Sequence, residues 1–107
     1  MRTTMAALPA TLLAALTLAT VLPAQAADPN LARNLAATCA NCHGTFGRAQ
    51  GDMKPLAGLS AEKILALLAD YRAGNQPATI MHQIVKGYTD EQLKLIAGWY
   101  AAQKPQK

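Results

Sequence analysis

Two observations predict an all-α protein. Apolar residues recur at the spacing of one helix face in residues 61–73 and 90–103, and no stretch alternates convincingly at the period of two that a strand requires. Helix-capping residues stand where both segments begin. Ser60 precedes the first segment, and Thr89 with Gln92 forms a capping box before the second. The apolar pattern and the local capping signals therefore agree on helices.

About four helices are expected. In chain order they cover residues 30–38, 61–73, 79–86 and 90–103. Gly74 and Gly87 end the second and third helices, and four glycines with Pro55 predict an extended loop over residues 44–59. The residues expected on the apolar faces of the second and fourth helices are Ile64, Leu65, Leu68 and Tyr71, and Leu93, Ile96, Ala97 and Tyr100.

Residues 1–26 are predicted to be a cleaved secretory signal peptide. Arg2 supplies a positive charge, residues 5–22 form an apolar run, and residues 24–26 (Ala-Gln-Ala) have the form of a signal-peptidase site. A retained membrane anchor is the alternative, but the run contains Pro9 and is short beside the roughly 20 apolar residues of a spanning helix. We therefore expect export to the periplasm and no stable membrane anchor after cleavage.

Residues 27–107 would then be the mature protein, which is long enough for one small domain. Removal of Arg2 leaves nine basic against six acidic side chains, so the formal net charge falls from +4 to +3. The basic residues are scattered and are not interleaved with aromatic residues, which argues against nucleic-acid binding. A domain of this size usually needs a staple or a cofactor to complete its core.

Cys39, Cys42 and His43 form a Cys-x-x-Cys-His motif that uses both cysteines of the chain. This spacing is that of covalent attachment of a c-type haem. Each thiol can add to one vinyl group of the haem, and the histidine that follows can bind the iron as its proximal ligand. We predict one covalently bound haem c, attached at Cys39 and Cys42, with His43 as the proximal axial iron ligand.

Three other interpretations of the cysteine pair are weaker. A thioredoxin-like redox pair needs a βαβ context, which the sequence lacks. A structural zinc site needs four ligands, and the only other histidine, His82, has no companion at short spacing. A plain disulfide would leave His43 without a role. Haem attachment accounts for all three residues of the motif.

The second axial position of the iron has three candidate ligands in residues 27–107, which are Met53, Met81 and His82. Met53 lies on the loop that follows His43, and this loop is expected to pass on the proximal side. Met81 follows an intervening helix, so the chain has room to reach the opposite face. Spacing therefore favours Met81, and His82, its immediate neighbour, stays open as a competitor.

Four stretches carry a resemblance to the class I cytochromes c, and this resemblance covers nearly all of residues 27–107. They are the Cys-x-x-Cys-His motif, residues 55–58 (Pro-Leu-Ala-Gly), residues 71–74 (Tyr-Arg-Ala-Gly) and residues 96–103 (Ile-Ala-Gly-Trp-Tyr-Ala-Ala-Gln). This resemblance implies the small class I cytochrome c fold, in which the helices pack around a single haem.

A narrower resemblance is to the haem subunit of flavocytochrome c sulfide dehydrogenase. It rests on residues 78–81 (Ala-Thr-Ile-Met) and 84–88 (Ile-Val-Lys-Gly-Tyr). In that family a Thr-Ile-Met run precedes a Lys-Gly-Tyr turn and supplies the axial methionine, which implies Met81 as the distal ligand. A glycine commonly follows that methionine, whereas His82 stands here.

The family resemblance implies further roles. The Pro55 carbonyl would accept a hydrogen bond from Nδ1 of His43, with a simple loop proline as the alternative. Phe46 would either line the haem edge or anchor its own loop. The residues expected where the first and last helices cross are Leu35, Ala36, Trp99 and Tyr100.

An iron closed by His43 and Met81 has no open position for a substrate, so one-electron transfer is expected and the chain itself is not expected to be an enzyme. The resemblance implies that a flavoprotein subunit of sulfide dehydrogenase donates electrons, which then pass to a downstream acceptor. One alternative is a free soluble monohaem cytochrome c that shuttles electrons between redox complexes. Another is a haem enzyme or gas sensor with a labile sixth ligand.

Overall fold

The computed structural model describes residues 27–107, and the predicted signal peptide, residues 1–26, lies outside this part. The helices are α1 (Leu31–His43), α2 (Ala61–Ala73), α3 (Met81–Ile84) and α4 (Asp90–Ala101). Short 3₁₀ turns cover Thr45–Gly47 and Val85–Gly87. No strand occurs in the described residues, so the all-α prediction is confirmed. None of the helices in this range is long and apolar enough to cross a membrane.

The first helix is longer than the sequence pattern predicts. It continues beyond residue 38, through the cysteine motif, and ends at His43. Gly44 then turns the chain at a φ of +85°, and its N–H donates to the Ala40 carbonyl over 3.0 Å. A Cβ at Gly44 would lie 1.9 Å from the Arg48 carbonyl oxygen, so only glycine fits this turn. The haem motif therefore forms the last turn of a regular helix.

The second helix has the predicted bounds. The Ser60 hydroxyl accepts a hydrogen bond from the Lys63 N–H at 3.2 Å, as expected of an N-terminal cap. At the other end Gly74 adopts the left-handed conformation, with a φ of +79°. Both boundaries depend on residues next to the helix, which is why the sequence predicts them well.

The third helix is shorter than the predicted span of residues 79–86. Ile80 has a φ of −138°, which lies outside the helical region, so α3 begins only at Met81. Thr79 and Ile80 are both β-branched and favour extended backbone. After Ile84 the chain tightens into a 3₁₀ turn that ends at Gly87.

The fourth helix begins with the predicted capping box. The Gln92 N–H donates to the Thr89 hydroxyl at 3.2 Å, and the Thr89 N–H donates to the Gln92 side-chain oxygen at 2.9 Å. The helix ends at Ala101, two residues before the predicted end. There the Gln103 side-chain amide donates to the Trp99 carbonyl at 2.7 Å, so Gln103 caps the last turn instead of extending it.

The core forms where α4 packs against α1 and α2. All four residues predicted for the buried face of α4 are buried, whereas on α2 only Ile64 is buried and its three predicted companions are half-buried. Tyr100 is 1% exposed, and its hydroxyl donates to the Ala36 carbonyl of α1 at 2.6 Å. This hydrogen bond makes burial of the hydroxyl tolerable, and burial raises the pKa of Tyr100. The predicted crossing of the first and last helices is confirmed.

Candidate haem site

The cysteine motif occupies the end of α1. Cys39 is half-buried and packs against the core, and burial raises the pKa of its thiol. Cys42 is exposed, and both thiols are free. The plain disulfide that the sequence left as an alternative is therefore absent from this structure. Two free thiols three positions apart on one helical turn, one on the core and one at the surface, suit attachment of a single flat group.

The imidazole of His43 is oriented by a backbone carbonyl. Its Nδ1 lies 2.6 Å from the carbonyl oxygen of Lys54. The prediction that the carbonyl of Pro55 is the acceptor is therefore wrong by one residue. Lys54 lies outside any helix, and a residue that precedes a proline is held in extended backbone, so its carbonyl is not used within a helix and is available to the ring.

This hydrogen bond decides the chemistry of the ring. A carbonyl can only accept, so the Nδ1 of His43 carries a proton, and Nε2 is the ring nitrogen left to bind a metal. Metal-ligating histidines typically donate a hydrogen bond from the ring nitrogen that does not bind the metal, and this bond orients the ring. His43 is thus prepared to ligate through Nε2.

The loop that carries Lys54 is fastened to the rest of the domain. The Gly47 carbonyl accepts from the N–H groups of both Leu56 and Ala57, at 2.9 and 3.1 Å. The Gly58 N–H donates to the Tyr100 carbonyl at 3.0 Å, which ties the loop to α4. The position of the Lys54 carbonyl beside His43 is therefore fixed from both sides of the loop.

The three candidate ligands for the second axial position differ in their surroundings. Met81 is the first residue of α3, is half-buried and packs against the same core as Cys39. Met53 is 42% exposed and is adjacent in sequence to Lys54, the residue that binds His43. His82 is half-buried. The structure thus brings Met81 and Cys39 to one core and leaves Met53 in the loop on the His43 side.

Several large apolar side chains near these residues are exposed. Ile80, just before Met81, is 56% exposed, and Ile84, three residues after it, is 37% exposed. Phe46, just after the motif, is 51% exposed and has a φ of +57°, which bulky residues rarely adopt. Its ring packs on Trp99 with the centroids 6.4 Å apart, a contact that suits the predicted role of loop anchor, while its exposed part is free to line the haem edge. Exposed apolar side chains around prepared ligands suit a large apolar cofactor.

The residues present therefore fit a covalent haem. They supply two free thiols, a histidine with an oriented ring, a methionine on the same core and apolar side chains that a porphyrin would cover. Zinc lacks a ligand set here, since residues 27–107 bring together no group of three or more His, Cys, Asp or Glu side chains that could hold a metal ion.

Sequence reasoning missed one contact of this region. The hydroxyl groups of Thr38 and Tyr88 lie 2.5 Å apart, within hydrogen-bond distance, although 50 residues separate them. Thr38 directly precedes Cys39, and Tyr88 ends the segment that begins with Met81. The Lys-Gly-Tyr stretch marks Tyr88 as notable, but nothing in the sequence pairs it with Thr38.

No family model matches the chain, but three curated relatives do. The cytochrome subunit of sulfide dehydrogenase from Chlorobaculum tepidum is 38% identical over 66 residues, which are 62% of this chain and 60% of that protein. Cytochrome c-553 from Desulfomicrobium norvegicum is 33% identical over 69 residues, which are 62% of this chain and 86% of the relative. Cytochrome c-554(548) from Halomonas halodenitrificans is 34% identical over 71 residues, which are 63% of this chain and 86% of the relative.

The coverage of these relatives differs. The chain spans only about 60% of the length of the sulfide dehydrogenase subunit but 86% of each of the other two cytochromes. All three relatives are cytochromes, which is the class of protein that the haem motif predicts. This chain belongs to the c-type cytochromes, carries a covalently bound haem c and functions in electron transfer.

Proposed function

We propose that this chain transfers single electrons through a haem attached at Cys39 and Cys42 and ligated by His43 and Met81. The observation that carries the proposal is the 2.6 Å contact between the Nδ1 of His43 and the Lys54 carbonyl, which leaves Nε2 free to ligate. When bound, the haem iron supplies one-electron chemistry by alternating between its ferric and ferrous states. The residues of the chain hold the group and set its potential.

Support for Met81 comes from its place in the fold. It packs on the core that Cys39 also contacts, whereas Met53 is exposed and lies next to the residue that orients the proximal histidine. A thioether raises the reduction potential relative to a second imidazole. With both axial positions filled, the chain has no open site for a substrate, which supports a role as a carrier over a role as a catalyst.

His82 is the competing ligand, and a pair of substitutions separates the two. We expect Met81→Ala to remove the red absorption band of a methionine–iron bond and to lower the reduction potential. His82→Ala serves as the matched control, one residue away, and should change neither. The assignment would be wrong if His82→Ala removed the band and Met81→Ala did not.

The unaltered protein and Met81→Ala also test the alternative function, a haem enzyme or gas sensor with a labile sixth ligand. A labile sixth ligand predicts a high-spin ferric spectrum and rapid binding of carbon monoxide to the ferrous protein. A closed iron predicts a low-spin spectrum and slow binding in the unaltered protein, with fast binding only in Met81→Ala. Carbon monoxide binding that is equally fast in both proteins would contradict the carrier function.

The proposed electron donor is the flavoprotein subunit of a sulfide dehydrogenase in the periplasm. Support comes from the identity to the Chlorobaculum tepidum subunit and from residues 78–88, whose pattern resembles that of such haem subunits. In this arrangement the flavoprotein oxidises sulfide, and this chain passes the electrons to a downstream acceptor. We infer that residues 1–26 direct export and are removed by cleavage after Ala26, so that the mature protein begins near Ala27.

A free soluble cytochrome is the second candidate, because the chain covers 86% of cytochromes c-553 and c-554(548) and only 60% of the sulfide dehydrogenase subunit. Purification from the native periplasm distinguishes the two. A flavoprotein subunit would bring stoichiometric flavin and would reduce the haem when sulfide is added. The free carrier would be supported if the cytochrome purifies without flavin and if sulfide does not reduce its haem even when the flavoprotein fraction is added.

A further inference from the structure

We propose that Tyr88 is a positioning residue that holds the Met81 segment (Met81–Tyr88) against the haem-attachment helix α1. The inference rests on the proposed function, in which Met81 is the distal iron ligand. It assigns to the Tyr88 hydroxyl the task of keeping that ligand in place, although Tyr88 is not itself a ligand.

The first observation is the contact with α1. The Tyr88 and Thr38 hydroxyl oxygens are 2.5 Å apart and share a hydrogen bond in which either can donate. Thr38 is in α1, one residue before Cys39. Tyr88 is half-buried and packs against the core, so its ring has little freedom to swing away. The far end of the Met81 segment is thus tied to the turn that carries the first haem-attaching thiol.

The second observation is the stiffness of the segment between the two residues. From Met81 the chain runs through α3 and a 3₁₀ turn, and the Tyr88 N–H donates to the Val85 carbonyl at 3.3 Å. Val85 is 1% exposed and lies in the core. A short segment with regular backbone hydrogen bonds and a buried centre transmits a restraint at one end to the other.

The third observation is that the backbone of Tyr88 is also held. Arg72, in the last turn of α2, donates from Nη2 to the Tyr88 carbonyl at 3.1 Å and from Nη1 to the Asp90 carboxylate at 2.6 Å. Asp90 is the first residue of α4. We call these four residues, Thr38, Arg72, Tyr88 and Asp90, the Tyr88 network. It connects the Met81 segment to three helices.

Loss of the Tyr88 hydroxyl should let the Met81 segment leave its place more often. A neutral hydrogen bond contributes a modest net free energy, which corresponds to roughly a two- to tenfold change in an equilibrium. We therefore expect Tyr88→Phe to increase the rate at which added imidazole displaces the distal ligand of the ferric holoprotein by about two- to tenfold. The fold and the haem content should stay unchanged.

The matched control is Tyr71→Phe. Tyr71 is also half-buried and packs against the same core, and the structure gives its hydroxyl no hydrogen bond within residues 27–107. Removal of this hydroxyl should leave the imidazole rate unchanged. Thr38→Val should reproduce the increase, the Tyr88→Phe/Thr38→Val double variant should add nothing further, and Thr38→Ser, which keeps a hydroxyl, should restore the original rate.

Two results would overturn the inference. One is an imidazole displacement rate in Tyr88→Phe equal to that in Tyr71→Phe. The other is a double variant in which the effects of Tyr88→Phe and Thr38→Val on this rate simply add. If Tyr88→Phe does not fold, the Thr38→Val and Thr38→Ser pair decides the question. Met81→Ala separates failure of the positioning role from failure of the proposed function. If the methionine–iron band is intact in Met81→Ala, Met81 is not the ligand, and both proposals are wrong. If the band is lost in Met81→Ala but Tyr88→Phe has no effect, only the positioning role is wrong.

Discussion

The two sides of the candidate haem site are built in different ways. On the His43 side the motif is part of a 13-residue helix, and a loop whose ends are hydrogen-bonded supplies the carbonyl that orients the imidazole. On the Met81 side the proposed ligand starts a four-residue helix, and the two isoleucines near it in sequence are exposed. The His43 side is held by a contiguous motif and by several hydrogen bonds of one loop. The Met81 side depends on a few contacts between residues that are far apart in sequence.

Loss of covalent attachment tests the first side most severely. We expect the double variant Cys39→Ser/Cys42→Ser to contain no covalent haem and to lose most of its helical circular dichroism, because a domain this small lacks a sufficient core without the cofactor. Haem content and far-ultraviolet circular dichroism measure both effects. Met81→Ala, which alters only the second side, should keep its covalent haem and its helices. Equal losses in the two variants would contradict the contrast.

A smaller effect is expected at the turn that follows the motif. A Cβ at Gly44 would clash with the Arg48 carbonyl at 1.9 Å, and its φ of +85° is unfavourable for other residues. We expect Gly44→Ala to lower the free energy of unfolding by about 2–4 kcal/mol, as measured by urea denaturation of the holoprotein.

The control for this substitution is Gly98→Ala. Gly98 lies inside α4, and a Cβ there would meet nothing within 4 Å. Since alanine is the better helix former, the control should gain about 0.5–1 kcal/mol. A Gly44→Ala protein as stable as the Gly98→Ala protein would show that the turn after the motif is not constrained as described.

The smallest expected effect concerns the Tyr88 network. The Arg72 guanidinium donates to Asp90 and holds the pKa of that carboxyl below its ordinary value. A lowered native pKa stabilises the fold above the ordinary pKa of aspartate, and this contribution is lost as the pH falls through the lowered native pKa. Both side chains are exposed, so we expect only a small effect.

Urea denaturation across acidic pH measures this contribution. The stability difference between the original protein and Asp90→Asn should be present at neutral pH and should disappear in acid. Glu91→Gln is the matched control, because Glu91 pairs with Lys94 on the surface of α4 and lies outside the Tyr88 network. A difference for Asp90→Asn that is constant from neutral to acid pH would contradict the pairing with Arg72.

The helices that the sequence predicts best are those with local boundaries. Ser60 and Gly74 bound α2, and Thr89 with Gln92 begins α4, all within a few residues of the helix they define. The predicted end of α4 lies two residues too late, because Gln103 has the pattern of a further helical residue and instead caps the turn with its side chain. Helical spacing alone cannot distinguish these two roles.

The site shows the same division. The Cys-x-x-Cys-His motif is contiguous, so the sequence alone predicts haem attachment and the proximal histidine. The resemblance predicts the Pro55 carbonyl as the acceptor for Nδ1 of His43, and the acceptor is the Lys54 carbonyl, because the path of a glycine-rich loop sets which carbonyl faces the ring. The Thr38–Tyr88 pair spans 50 residues and becomes visible only when α1 and the Met81 segment are packed.

The central claim is that Met81 ligates the iron, and methyl-labelled methionine tests it most directly. Residues 27–107 contain two methionines, Met53 and Met81, so the labelled mature protein should give two methyl signals. In the ferrous protein we predict one signal near its ordinary position and one displaced far upfield by the porphyrin ring current. The displaced signal should vanish in Met81→Leu and persist in Met53→Leu. Two undisplaced signals, or loss of the displaced one in Met53→Leu, would contradict the account.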